Sequence, residues 1–196
     1  LLMKNKELLM KKNTILYFFA LCAIIFLSPF SVKAEDLSYK DKKRILEEVN
    51  ASFTAKGISL DQISQYDILD RNFCGLKRRL LGLKPEDKQQ LIHDLGRLTW
   101  LTRINLRENE LDNLPVGFAG ITSLEHLELG DNHFTDVPEV LGDLPGLVIL
   151  EMSYNRLEQL GESFGRLASL KKLVLTKNQL HDLPECFSSL KALKKL

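Results

Sequence analysis

Residues 124–146, LEHLELGDNHFTDVPEVLGDLPG, decide the fold because the following 23 residues repeat their pattern. Leucine recurs at this interval at Leu101, Leu124, Leu147, Leu170 and Leu193. Between these leucines, further apolar columns, an asparagine column and a proline column agree across four copies, and Gly161 alone breaks the proline column. Chance does not align so many columns, so the body of the chain is an array of repeats.

Each column has a mechanical reason. The segment LxL alternates with period two, which predicts a short strand whose leucines point into a core. The asparagines are expected to form a ladder that satisfies backbone groups of neighbouring turns; they are Asn109, Asn132, Asn155 and Asn178. The proline fixes φ and opens a return segment, a short helix or irregular turn. No rung buries its apolar edge alone, so stability comes from stacking.

The pattern LxxLxLxxNxLxxLPxxFxxLxx resembles the leucine-rich repeat family in its 23-residue form, over about residues 91–196. The resemblance implies an α/β fold, a right-handed leucine-rich repeat solenoid with a curved parallel sheet on its concave face. Residues 98–196 would hold four full repeats and the start of a fifth. Because Leu196 falls within a rung, we expect the chain to be a fragment of a longer protein.

Residues 35–97 are expected to form an α-helical N-terminal cap over the first rung. Ile45, Leu46, Val49 and Phe53 make a helical stripe. Residues 59–62 have the pattern of a capping box, and Pro85 followed by two acidic residues suits a helix start.

Residues 1–34 have the features of a secretory signal peptide, with an expected start at Met10. Two lysines precede a short apolar run, and small residues at positions 32 and 34 suit a signal peptidase. The alternative is an uncleaved anchor, which prefers about 20 apolar residues. We expect cleavage before Glu35, export to a periplasmic, cell-surface or secreted location, and no stable membrane span afterwards.

Composition narrows the functional classes. The chain has 27 basic and 26 acidic residues, but residues 35–196 hold 22 basic and 25 acidic ones, a net charge of −3. A mildly acidic body argues against nucleic-acid binding. Three cysteines without a CxxC pair argue against a zinc ribbon or a thioredoxin-type motif.

Motifs for chemistry are weak. Residues 161–165 spell GxSxG, but they fall on the repeat columns far from a strand end, so a nucleophile elbow is not expected. His126, Glu128 and Glu151 could hold a divalent ion, although a solvated polar patch is the commoner arrangement. Asn50 begins a glycosylation sequon, which matters only in a eukaryotic secretory pathway. No catalytic residue, metal site or cofactor is predicted.

The outward strand positions form the predicted binding face. They and the residues just past the strands give a candidate site of Arg103, Asn105, Arg107, His126, Glu128, Ile149, Glu151, Tyr154, Lys172 and Lys177. Ile149 and Tyr154 are the expected anchors, since hot spots favour aromatics within a polar surround. Glu151 faces outward, so its replacement by alanine should change stability by less than about 0.5 kcal/mol.

The predicted function is an exported, non-catalytic module that binds a protein or peptide on the concave face. The alternative is the recognition domain of a larger enzyme or receptor, such as a ubiquitin-ligase effector or a kinase-linked receptor, with its catalytic part beyond Leu196.

Overall fold

The strands expected from the LxL segments form one parallel sheet in the computed structural model, which describes residues 37–58, 72–73 and 79–196. Its five strands follow chain order and are β1 Asn72–Phe73, β2 Arg103–Asn105, β3 His126–Glu128, β4 Ile149–Glu151 and β5 Lys172–Val174. From β2 to β5, partners in the register are one repeat apart, as in the pairs of Leu127 with Leu150 and Leu150 with Leu173. A bridge from Lys172 to Lys195 continues the register into the fifth copy.

The core lies behind this sheet. The central leucines Leu127, Leu150 and Leu173 are fully buried, as the two-residue alternation predicts. The chain returns through four 3₁₀ helices, Val116–Gly120, Glu139–Asp143, Glu162–Arg166 and Glu185–Ser189. Each follows a position of the proline column, whose extended backbone directs the chain away from the sheet. The predicted leucine-rich repeat solenoid is therefore confirmed.

The predicted asparagine ladder positions lie inside the turns that leave the strands. Asn132 donates to the carbonyl oxygens of Leu106, Leu129 and Gly130 over 2.9–3.1 Å, and its Oδ1 accepts from the backbone of Asn109 and Leu111. Asn155 and Asn178 make the corresponding bonds one and two rungs further on. Each amide thus joins consecutive rungs through backbone groups that the core would otherwise leave unsatisfied.

Before the repeats, the described residues form two α-helices. Helix α1 spans Tyr39–Ala55, where the Ser38 side chain accepts from the backbone N–H of Asp41, and it buries Leu46, Val49 and Phe53. Helix α2 spans Pro85–Leu95 and begins at the proline that the sequence marks. The predicted signal peptide, its cleavage site and the capping-box pattern of residues 59–62 lie outside the described residues.

The region before the repeats also supplies a strand, which the expectation of a purely helical cap did not include. β1 pairs in parallel with β2, so the sheet begins one strand earlier than the repeat columns indicate. The backbone N–H of Leu80 donates to Asn109 Oδ1 over 2.8 Å, in the way later rungs bond to their asparagines. Lys88 of α2, nearly buried, donates to the Asn109 carbonyl and to Glu110 over 2.9 and 3.0 Å. These bonds fasten the region before the repeats to the first rung.

Candidate binding surface

The outward side chains of the strands line up in columns because the register advances by one repeat per strand. One column contains Arg103, His126, Ile149 and Lys172, and the next contains Asn105, Glu128, Glu151 and Val174. We call these columns, together with the residues just past each strand, the sheet face. The register therefore places seven of the ten predicted site residues in these two columns, and Arg107, Tyr154 and Lys177 lie just past the ends of β2, β4 and β5.

The residue just before each ladder asparagine has a left-handed backbone. These residues are Glu108, Asp131, Tyr154 and Lys177, with φ between 52° and 62°. The first three donate their backbone N–H to a carbonyl of the next rung over 2.9–3.1 Å, which offsets the cost of this conformation. At Tyr154 the turn leaves the side chain 54% exposed, the largest such exposure of an apolar or aromatic side chain on the sheet face.

Arg107 links three rungs of the sheet face. Its Nη1 donates to Glu151 Oε2 over 2.6 Å, and its Nη2 pairs with Asp131. Burial acts to lower the pKa of Arg107, but the charges and hydrogen bonds of Glu151 and Asp131 outweigh it, so the pKa is raised. The guanidinium is thus held in place by two carboxylates, and its single charge offsets one of their two negative charges.

Gly130 makes this arrangement possible. A β-carbon at this position would lie 2.6 Å from Glu151 Oε2 and 2.7 Å from Arg107 Nη1. The missing side chain therefore leaves room for Arg107 to pass over the second rung and reach the third.

The remaining acidic groups of this region are also engaged. Glu128 Oε2 accepts from Asn105 Nδ2 over 2.9 Å, and Glu151 Oε1 accepts from the backbone N–H of Ser153 over 3.0 Å. The Glu151 side chain is only 16% exposed to solvent. The expectation of an outward, freely solvated Glu151 differs from this geometry, because Arg107 covers it. We call Asn105, Arg107, Glu128, Asp131 and Glu151 the closed half of the sheet face.

The other half of the sheet face has the opposite character. Ile149, Lys172 and Val174 are half-buried, and Lys177 is exposed. Within the described part of the chain, neither Lys172 nor Lys177 forms an ion pair. We call these four residues and Tyr154 the open half.

His126 lies beside the boundary of the two halves. Burial is the main cause that lowers the pKa of His126, and the positive charges of Arg103 and Lys172 lower it further. The negative charges of Glu125 and Glu128 act in the opposite direction but do not outweigh these causes. The imidazole is therefore neutral near pH 7.

The motifs considered for chemistry lie in other surroundings. Ser163 of the GxSxG pentapeptide lies in a 3₁₀ helix of the return side, not on a turn directly after a strand. Glu128 and Glu151, two of the three metal-ligand candidates, are occupied by Asn105 and Arg107. In the described ranges, no three His, Cys, Asp or Glu side chains are grouped closely enough to hold a metal ion.

Two further sequence features can be located. Asn50 of the sequon lies inside α1, and its Oδ1 is buried, whereas acceptor asparagines usually occupy surface loops. No helix in residues 37–58 or 79–196 has the length and apolar character needed to cross a membrane.

Stacked strands, an asparagine at each turn and a 3₁₀ return segment define a leucine-rich repeat solenoid. A family model described as leucine rich repeat matches residues 131–180 and 145–196. Residues 131–196 are thus leucine-rich repeats, and such domains are typically non-catalytic modules of protein interaction. A search of curated proteins finds no significant match.

Solved structures resemble parts of this chain. A leucine-rich repeat protein of Leptospira interrogans is 28% identical, with a TM-score of 0.55 over 64% of this chain and 36% of that one. An internalin of Listeria monocytogenes is 28% identical, with a TM-score of 0.45 over 53% of this chain and 30% of that one. Internalin C2 of the same species is 26% identical, with a TM-score of 0.47 over 53% and 45%. This chain spans less than half the length of each.

Proposed function

We propose that this chain is an exported, non-catalytic interaction module that binds a protein or peptide on the sheet face, the concave surface of the solenoid. The observation that carries the proposal is Tyr154, a 54% exposed aromatic residue in the turn that follows β4, the strand that also carries half-buried Ile149. An exposed aromatic within a polar surround is the usual composition of a binding hot spot.

We divide the predicted site residues between two proposed roles. Arg103, His126, Ile149, Tyr154, Lys172 and Lys177 are the residues that we propose to contact the ligand. Arg107, Asn105, Glu128 and Glu151 bond to one another and to Asp131, so their proposed role is to hold the sheet face in shape. The ladder asparagines are proposed to be structural, since their amides bond to backbone groups.

The binding role is tested by comparing two large exposed side chains on different surfaces. Tyr154 lies on the sheet face, and Val116, 79% exposed, lies on the return side. Tyr154→Ala should weaken the binding of a partner isolated with the full chain by about 1–3 kcal/mol, as expected for an aromatic anchor. Val116→Ala should leave the affinity unchanged. The reverse result would place the binding surface on the return side.

Export is a separate part of the proposal and rests on residues 10–34 of the sequence. We propose a signal at residues 1–34, a cap at 35–97 and repeats at 98–196. Mass spectrometry of the exported protein should find Glu35 at its N-terminus. Ala34→Arg places a large cation where the peptidase requires a small residue, so this variant should keep its leader. Recovery of the unaltered chain uncleaved in membranes would support the anchor instead.

A further inference from the structure

The charges of the sheet face are distributed unequally between its two halves. In the closed half, Asp131 and Glu151 share the guanidinium of Arg107, and Glu128 accepts from Asn105. Because these carboxylates already accept hydrogen bonds from neighbouring side chains, they are less available to a ligand. The open half keeps Lys172 and Lys177 without carboxylate partners among the described residues.

The register places each of these lysines beside an apolar or aromatic side chain. Lys172 pairs with Ile149 across β4 and β5. Lys177 and Tyr154 occupy equivalent left-handed positions one repeat apart, and the backbone N–H of Tyr154 donates to the carbonyl of Thr176 over 2.9 Å. Neighbouring parallel strands lie about 4.8 Å apart, so each lysine is within side-chain reach of its apolar neighbour. The open half therefore presents two pairs, each made of an apolar contact and a cation.

Lysines without local partners attract carboxylates, and neighbouring charges favour one sign of ligand over the other. Lys195 lies next to Lys172 in the same column and adds to the positive field. We infer that the open half binds an acidic polypeptide segment in which carboxylates alternate with apolar or aromatic side chains. This inference rests on the proposed function, to which it adds the chemistry of the ligand.

A polypeptide fits this surface better than a nucleic acid. Phosphate backbones need a continuous basic stripe, whereas His126 and Ile149 separate Arg103 from Lys172 in their column. The apolar parts of Ile149 and Val174 also suit aliphatic side chains.

The test uses the full chain and three fluorescent probes. The first is a short peptide in which glutamates flank a phenylalanine and a leucine, and the second has glutamine at every glutamate position. The third is a mixed-sequence single-stranded oligonucleotide. Affinity is measured by fluorescence anisotropy for the unaltered chain and for Lys172→Glu, Lys177→Glu, Tyr154→Ala and Lys43→Glu. Lys43 is an exposed lysine of α1 that makes no ion pair within the described residues, so its variant has the same charge change on a different surface.

The inference predicts that the acidic peptide binds more tightly than its glutamine counterpart. Lys172→Glu and Lys177→Glu should each weaken acidic-peptide binding roughly tenfold, because an exposed attraction becomes a repulsion. Lys43→Glu should leave that binding unchanged.

Three results would overturn the inference. They are equal affinity for both peptides, equal effects of Lys43→Glu and Lys172→Glu, and oligonucleotide binding as tight as that of the acidic peptide. If both peptides bind equally but Tyr154→Ala weakens both, the acidic ligand is rejected while the sheet face remains the binding surface. If the acidic peptide binds and Tyr154→Ala, Lys172→Glu and Lys177→Glu all leave its affinity unchanged, the proposed function fails as well.

Discussion

The closed and open halves of the sheet face are built from the same kind of strand and turn, yet their charged side chains are arranged in opposite ways. In the closed half, one arginine spans three rungs and forms ion pairs with carboxylates of the second and third. In the open half, lysines stand beside apolar side chains without an ion pair in the described part of the chain. The repeat columns therefore determine the core, while the outward positions decide which part of the face stays available.

The largest effect on stability is expected in the core under β4, the strand that carries residues of both halves. Leu150 is fully buried between rungs, so Leu150→Ala should lower the free energy of unfolding by about 2–5 kcal/mol through lost burial and a cavity. Val116→Ala, at a 79% exposed position, should change it by less than about 0.5 kcal/mol. Urea unfolding followed by circular dichroism measures both. Similar losses would contradict the assigned register.

The next effect separates the two halves directly. Arg107→Met removes the guanidinium but keeps the stem, leaving Glu151 and Asp131 without their cation. We expect a loss of about 2 kcal/mol, since hydrogen bonds to charged groups are costly to break. Lys172→Met deletes a cation of the open half and should cost less than about 0.5 kcal/mol. If the lysine variant lost as much stability as the arginine variant, the distinction between the halves would be rejected.

The sequence predicts the repeats well because each column follows from local geometry. Inward leucines, turn asparagines and prolines recur at a fixed interval, and stacking requires the same residue types in every rung. This is why the residue pattern alone is enough to place the strands, the buried leucines and the return segments.

Other features could not be predicted from the sequence because they depend on contacts between neighbouring segments and not on the repeat pattern. β1 has two residues and no repeat pattern, and its strand geometry comes from pairing with β2. The Arg107 arrangement depends on the missing side chain of Gly130, so the charge of each rung alone could not reveal it. The sequence did contain one indication of it. Gly130 occupies the position of Arg107 one repeat later, and Glu151 lies in the repeat after that.

Gly130→Ala tests that opening. The new methyl group meets the ends of two flexible side chains, which can move at the expense of their ion pair. We expect a loss of about 1 kcal/mol in unfolding free energy, at the low end of overpacking. Gly161→Ala is the control, since its nearest contact would be Ser163 Oγ at 3.9 Å and its φ of −68° suits alanine. Equal stability of the two variants would show that Arg107 does not need Gly130.

The smallest effect concerns the boundary residue His126. Its folded-state pKa is lowered from 6.5 by burial and by Arg103, so the unfolded state binds a proton more readily than the folded state. The stabilisation from the neutral imidazole is present above pH 6.5 and is lost as the pH falls through the lowered folded-state pKa. His126→Gln should remove this contribution. As the pH falls, the free energy of unfolding of the unaltered chain should therefore decrease more than that of the variant. Urea midpoints at several pH values measure the difference, and His133→Gln on the same rung controls for the loss of an imidazole. A difference for His126→Gln that stays constant with pH would mean that folding does not lower the pKa of His126.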